Sequence, residues 1–165
     1  MIAASAPGVA LFDASNGLTL AGDVEVIIGF VGAFRDHARR QMSERINALG
    51  LARFSVLSDR AMIFSRGSIG DGSYIGPLAV IECGAEVGVD GCVLSGAVVS
   101  HDCVLMRDVF VGPGAVICGG VTVGAHARIG AGAVILPGIH VGAGGIVGAG
   151  VTVRRNVTAG EVFTG

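Results

Sequence analysis

The chain has 165 residues, 52% of them hydrophobic and 15% charged, with 29 glycines and a net charge of −2. Mean hydropathy is +0.74 and the isoelectric point is about 6.0, so no electrostatic footprint for nucleic acid is visible. Two stretches without Asp, Glu, Lys or Arg, 109–127 and 129–153, are long enough to cross a bilayer. Their apolar residues recur every six places, however, and Gly or Pro falls in almost every turn, so they read as buried coils rather than membrane helices. The opening Met1-Ile2-Ala3-Ala4-Ser5 lacks the basic start of a secretory signal.

Residues 1–54 are not repetitive. Residues 8–13 suggest a short strand, 14–17 a turn, and 24–28 a better strand that ends at Gly29. Phe34, Ala38, Met42, Ile46 and Leu49 follow helical spacing, and Gly50 is placed to stop the helix. Arg35, Arg39, Arg40 and Arg45 are expected on its solvated side. A strand–strand–helix–strand order over about 50 residues predicts a small α/β subdomain, marginal alone, packed on one end of the repetitive region.

From Leu57 a branched aliphatic residue recurs every sixth place, through Ile63, Ile69 and so on without interruption to Val153. Two places before it stand small or β-branched residues such as Ala79, Ala97, Val121 and Ala133. Three places after it stand residues that tolerate positive φ, including Gly72, Gly84, Asp90, Asp102, Asp108, Gly120 and Asn156. Pro77, Pro113 and Pro137 precede three of these positions and suit a turn. Each hexapeptide is therefore a short strand plus a corner with two inward side chains, and their stacking predicts a β-helix over residues 55–165. Outward residues including Val98, Val104, Phe110, Val116 and Ile146 are apolar, which predicts buried contact with neighbouring copies. Of the cysteines, Cys103 is expected to point inward and Cys92 outward, while Cys83 and Cys118 flank corners. None has zinc-type spacing, and free thiols in a reducing cytoplasm are expected. His101 is the one residue of its stretch that the repeat does not explain.

The runs Val99-Ser100-His101-Asp102-Cys103-Val104, Val111-Gly112-Pro113-Gly114-Ala115, Gly119-Gly120-Val121-Thr122-Val123-Gly124 and Ile129-Gly130-Ala131-Gly132-Ala133 resemble one branch of the left-handed β-helix acyltransferases. That branch holds the sialic-acid O-acetyltransferases and the N-acetyltransferases of nucleotide-linked 4-amino sugars, as in bacillosamine and perosamine synthesis. The resemblance runs from about residue 24 to the end. It implies a left-handed parallel β-helix with three hexapeptides per coil and a small, truncated N-terminal α/β (Rossmann-like) subdomain on the acceptor side. It also implies a cytoplasmic homotrimer that takes acetyl-CoA in the clefts between solenoids and acts on a sugar or nucleotide-sugar acceptor.

On that geometry residues eighteen apart stack, so His101 lies between Cys83 and Gly119. The resemblance implies that His101 is the general base and that Asp102 orients its imidazole and supports the protonated form. A glycine at 119 would leave room for a thioester and free a backbone N–H for its oxyanion. The coenzyme arm would pass the corner row of Ala131 and Ala149, and Phe110 stands where some relatives place a second histidine that contacts acetyl-CoA. Relatives carry a Gly-rich nucleotide turn before the point where this chain starts, and a polar residue where Phe30 follows Gly29. Weak nucleotide-sugar affinity is therefore expected.

Other readings of the same residues stay open. His101 can be a solvated turn residue, and Asp102 occupies a slot where φ alone favours Asp, Asn or Gly. A β-helix can also be a non-catalytic oligomerisation module. A metal site of the γ-carbonic-anhydrase kind is disfavoured, because His126 and His140 do not stand at multiples of eighteen from His101. No metal is expected. N-acetylation of a nucleotide-linked amino sugar in surface-glycan synthesis is preferred over O-acetylation of a sialic-acid-like sugar, since an uncharged amine asks less of a single histidine.

Overall fold

A computed structural model describes residues 25–26, 36–64 and 68–165. The readings of strands at 8–13 and 27–28, of the turn at 14–17, and of Phe30 and Phe34 lie outside those residues. Strand β1 (Glu25–Val26) pairs in parallel with β2 (Ala52–Arg53), and α1 (Asp36–Ala48) lies between them in sequence. Gly50, at φ +62, ends the helix in a Schellman turn: the Leu51 N–H donates to the Ile46 carbonyl and the Gly50 N–H to the Asn47 carbonyl.

From Val56 the chain winds into a solenoid of two-residue strands that form three parallel sheets of seven, six and five strands. The first sheet runs from Val56–Leu57 to Val162–Phe163, the second from Met62–Ile63 to Thr152–Val153, and the third from Ser68–Ile69 to His140–Val141. Paired residues stand eighteen apart, as in Val98 with Val80 and Val116. Every aliphatic residue of the six-residue series is the second residue of a strand, and from Ile75 onward all are buried in the core. The residues two places earlier, such as Ala79, Ala97, Cys103, Val121 and Ala133, have no exposed surface. Each rung therefore buries one large and one small apolar side chain. Every buried Val, Ile or Leu is worth about 1.5–3 kcal/mol, and no single layer carries the fold.

Positive φ recurs at every sixth residue from Gly72 to Gly150. Asp90, Asp102 and Asp108 take it as expected, and so do Leu78 (φ 60) and His126 (φ 63), which composition did not mark. Asn156 does not take it. There the coil is two residues shorter: Val157 bridges to Val141, Val147 pairs with Phe163, and the Asn156 carboxamide accepts the His140 N–H.

Three expectations are corrected. Arg39 is not on a solvated face but 5% exposed, whereas Leu49, read as apolar-facing, is 56% exposed. The helix does not sit on the solenoid's end either. It docks against its side, on the corners between the third and first sheets. There Arg39 Nε donates to Asp108 (2.9 Å) and Nη2 to the Asp90 carbonyl (2.7 Å), while Ser43 and Arg53 donate to the Asp90 carboxylate. Buried carboxylates demand cations, and that demand overrides helical patterning. Finally, Phe110 is buried along with Cys92 and Arg128 on the outer side of the first sheet, so it presents no apolar surface to another copy. Val98, Val104, Val116 and Ile146 are half-buried.

Candidate active site

His101 and Asp102 occupy the corner that joins the second sheet to the third, between Val98–Val99 and Val104–Leu105. The chain turns there because Asp102 takes φ +57, a conformation that Asp tolerates better than most residues. Its side chain folds back so that Oδ2 lies 2.9 Å from His101 Nδ1. An ionised carboxylate only accepts, so Nδ1 carries the proton and the neutral ring keeps its lone pair on Nε2. Both side chains are open to solvent, 65% and 74% exposed.

One coil on, the imidazole lies against Gly119. A Cβ at that residue would stand 2.5 Å from both Cε1 and Nε2 of His101. The expected space beside the glycine is thus already used by the ring, which lies over the residue rather than beside it. The Gly119 N–H has no acceptor among the described residues. Below, Asp102 Oδ1 packs over Gly84, and the Asp102 N–H donates to the Cys83 carbonyl at 3.2 Å. Two further side chains complete the corner. Glu82 Oε2 accepts the His101 N–H at 2.9 Å, and the buried Cys103 Sγ donates to the Cys118 carbonyl at 3.0 Å. Burial pushes the Cys103 thiol above its ordinary value, so it stays protonated and structural.

The other candidates lie elsewhere on the chain. Ala131 and Ala149 stack at exposed corners between the first and second sheets, and Phe110 is on the buried side of the first sheet. One chain does not bring these three to His101; it brings together His101, Asp102, Gly119 and the unanticipated Glu82. His126 lies at a different corner, with Nδ1 3.0 Å from Asp108, and His140 lies on a strand of the third sheet. Among the described residues no group of three or more His, Cys, Asp or Glu is placed to hold a metal ion. No described helix is long and apolar enough to cross a membrane.

Three parallel sheets wound in eighteen-residue coils, with a His–Asp pair at a corner, define a hexapeptide-repeat β-helix. Residues 102–136 match the family described as bacterial transferase hexapeptide (six repeats). The chain is similar to a histidine variant of perosamine N-acetyltransferase from Caulobacter crescentus, solved with CoA and GDP-perosamine. Identity there is 29% and the TM-score 0.73, over 75% of this chain and 59% of that one. It is also similar to the acetyltransferase domain of PglB from Neisseria gonorrhoeae FA1090 in complex with acetyl coenzyme A. That likeness has 32% identity and a TM-score of 0.73, covering 76% of this chain and 61% of the other. A third likeness is to WeeI from Acinetobacter baumannii AYE, at 28% identity and TM-score 0.67, covering 76% of this chain and 61% of that one. The chain spans about three-fifths of the length of these structures. No curated protein matches it. The resemblance read in the sequence is borne out at the level of the repeat and the fold.

Proposed function

We propose that the protein is an acetyl-CoA-dependent acyltransferase that N-acetylates an amino group of a nucleotide-linked sugar in surface-glycan synthesis. The observation that carries the reading is the His101–Asp102 pair, 2.9 Å apart, with its ring on Gly119. Two of the similar structures were solved with CoA and GDP-perosamine or with acetyl coenzyme A, which supports the donor and the acceptor class. The chain's own residues suit such a donor: an N–H without an acceptor among the described residues at Gly119, and a smooth exposed edge at Ala131 and Ala149. Bound there, acetyl-CoA supplies an activated acyl carbon.

In this reading His101 Nε2 accepts the proton of the acceptor amine as its nitrogen bonds to the thioester carbonyl carbon. The Gly119 N–H donates to the oxygen on which charge develops, and the imidazolium returns its proton to the departing sulfur. Asp102 keeps the ring in the tautomer that exposes the Nε2 lone pair. The reading places the chemistry in residues 55–165 of a cytoplasmic homotrimer, with residues 1–54 on the acceptor side. A neighbouring copy would bring Ala131 and Ala149 toward the donor.

The test is release of free thiol from acetyl-CoA across a panel of amino sugars and their nucleotides. Activity is expected with amino sugars, and His101→Ala should lower turnover by about 10²–10⁴-fold. Asp102→Asn keeps a residue that tolerates positive φ but removes the charge, and should also lower turnover. Full activity in the His101 variant would leave only the fold standing.

A further inference from the structure

The repeat supplies its own controls, because the same backbone position recurs at every corner. At most corners without proline, the residue before the positive-φ residue donates its N–H to no ladder carbonyl. Cys83, Ser95, Gly119, Ala131 and Ala149 all occupy that position, and none of their N–H groups has a protein acceptor among the described residues. Of the described corner residues so placed, only His101 has one: its N–H donates to Glu82 Oε2 at 2.9 Å, across one coil. The corner residue that carries the proposed base is thus also the one whose peptide is tied down.

Resting on the acyltransfer reading, we infer that Glu82 is a positioning residue for the His101 base, acting through the main chain rather than through the ring. Three restraints then define where Nε2 sits. The Glu82 carboxylate fixes the plane of the Ser100–His101 peptide, and with it the direction of the Cα–Cβ bond. The bond to Asp102 sets the rotation of the ring, and Gly119 receives its Cε1 and Nε2 atoms. Removing the first frees only the Ser100–His101 peptide to tilt, since the His101 carbonyl still accepts the Gly120 N–H and the Asp102 N–H still donates to the Cys83 carbonyl. The imidazole is highly exposed, so core packing does not compensate. A carboxylate-to-peptide hydrogen bond is directional, as such a restraint requires. A displacement of about 1 Å at a reacting group is enough to cost up to about 10²-fold in rate.

The experiment compares wild type, Glu82→Ala and Glu82→Gln in the full chain. The thiol-release assay uses an acceptor that wild type turns over, and calorimetry measures the affinity for acetyl-CoA. The bond predicts that Glu82→Ala lowers kcat by about tenfold, with acetyl-CoA affinity and melting temperature unchanged. It also predicts that Glu82→Gln recovers most of the loss, because its amide oxygen still accepts the N–H. A readout independent of turnover is hydrogen exchange at the His101 amide in isotopically labelled protein. It should be slower than at Ser95 in wild type and Glu82→Gln, and no slower in Glu82→Ala. Wild-type kcat in Glu82→Ala overturns the inference. So does a Glu82→Gln enzyme as impaired as Glu82→Ala, which would make charge the operative property, or an unprotected His101 amide in wild type. Failure of wild type to release thiol with any acceptor sinks the acyltransfer reading instead, and amide exchange then decides the peptide restraint by itself.

Discussion

Replacing Gly119 with alanine is the sharpest probe of the corner. The added Cβ would meet His101 Cε1 and Nε2 at 2.5 Å, and an ordinary carbon contact needs about 3.5 Å. The ring must therefore move by about 1 Å, and in moving it strains or breaks its 2.9 Å bond to Asp102. A misplacement of that size costs about 10²-fold, or about 2.7 kcal/mol of barrier. The fold should not suffer, because Gly119 does not take positive φ and the atoms in the way are the end of an exposed side chain. Reduced freedom of the unfolded chain should even stabilise the variant by about 0.4–1 kcal/mol. Initial rates of thiol release and a thermal melt, run side by side, test both halves. Unchanged turnover in Gly119→Ala would show that the ring's position is irrelevant to activity. A melting temperature several degrees lower would show that the clash falls on the backbone.

The buried Asp108 makes the helix's attachment testable. Arg39→Met should cost about 2 kcal/mol in a denaturant melt, less than for a lone buried pair because Arg128 and His126 still bond to Asp108. Burial opposes ionisation of Asp108, but hydrogen bonds from His126 and Arg39, with the Arg128 charge, hold its carboxyl below the ordinary carboxylate value. Its contribution is therefore present above that ordinary value and lost as pH falls through the lowered one. A stability–pH curve should drop at the acid end, and an Asp108→Asn curve should drop less steeply there. Leu78, 61% exposed at φ 60, carries strain without packing in return, so Leu78→Asn should raise stability by about 0.5–1 kcal/mol in the same melts. Light scattering at micromolar concentration should give a trimer, and a monomer would remove the cleft between solenoids from the proposal.

The ladder from Leu57 to Val153 was legible because a solenoid writes one rule seventeen times, and each copy corroborates the next. The corner at His101 was legible for the opposite reason, as a departure from that rule. What escaped has a common cause: it depends on contacts that periodicity does not encode. Arg39 looks like any arginine on a helix until Asp90 and Asp108, which the repeat marks only as turn residues, prove to be buried beside it. Leu78 and His126 take positive φ because the coils above and below fix the corner, which overrides local preference. Glu82 carried no signal in the sequence, since its partner is a peptide N–H nineteen places away. The shortened coil after Val153 was hidden because Asn156 suits the expected turn by type alone.

The eighteen-residue register also sets how this chain can tolerate changes in length. Adding one residue inside a strand would turn every later inward side chain outward, a penalty summed over all remaining rungs. Adding a whole coil would leave each rung intact and raise everything beyond it by about 4.8 Å, the spacing of paired strands. Length is thus quantised along the axis, and so is the distance between any two corners on one edge. Homologous solenoids that need a longer or shorter reach between the His101 corner and a distant contact should differ by whole coils, with insertions of other sizes confined to loops that leave the stack.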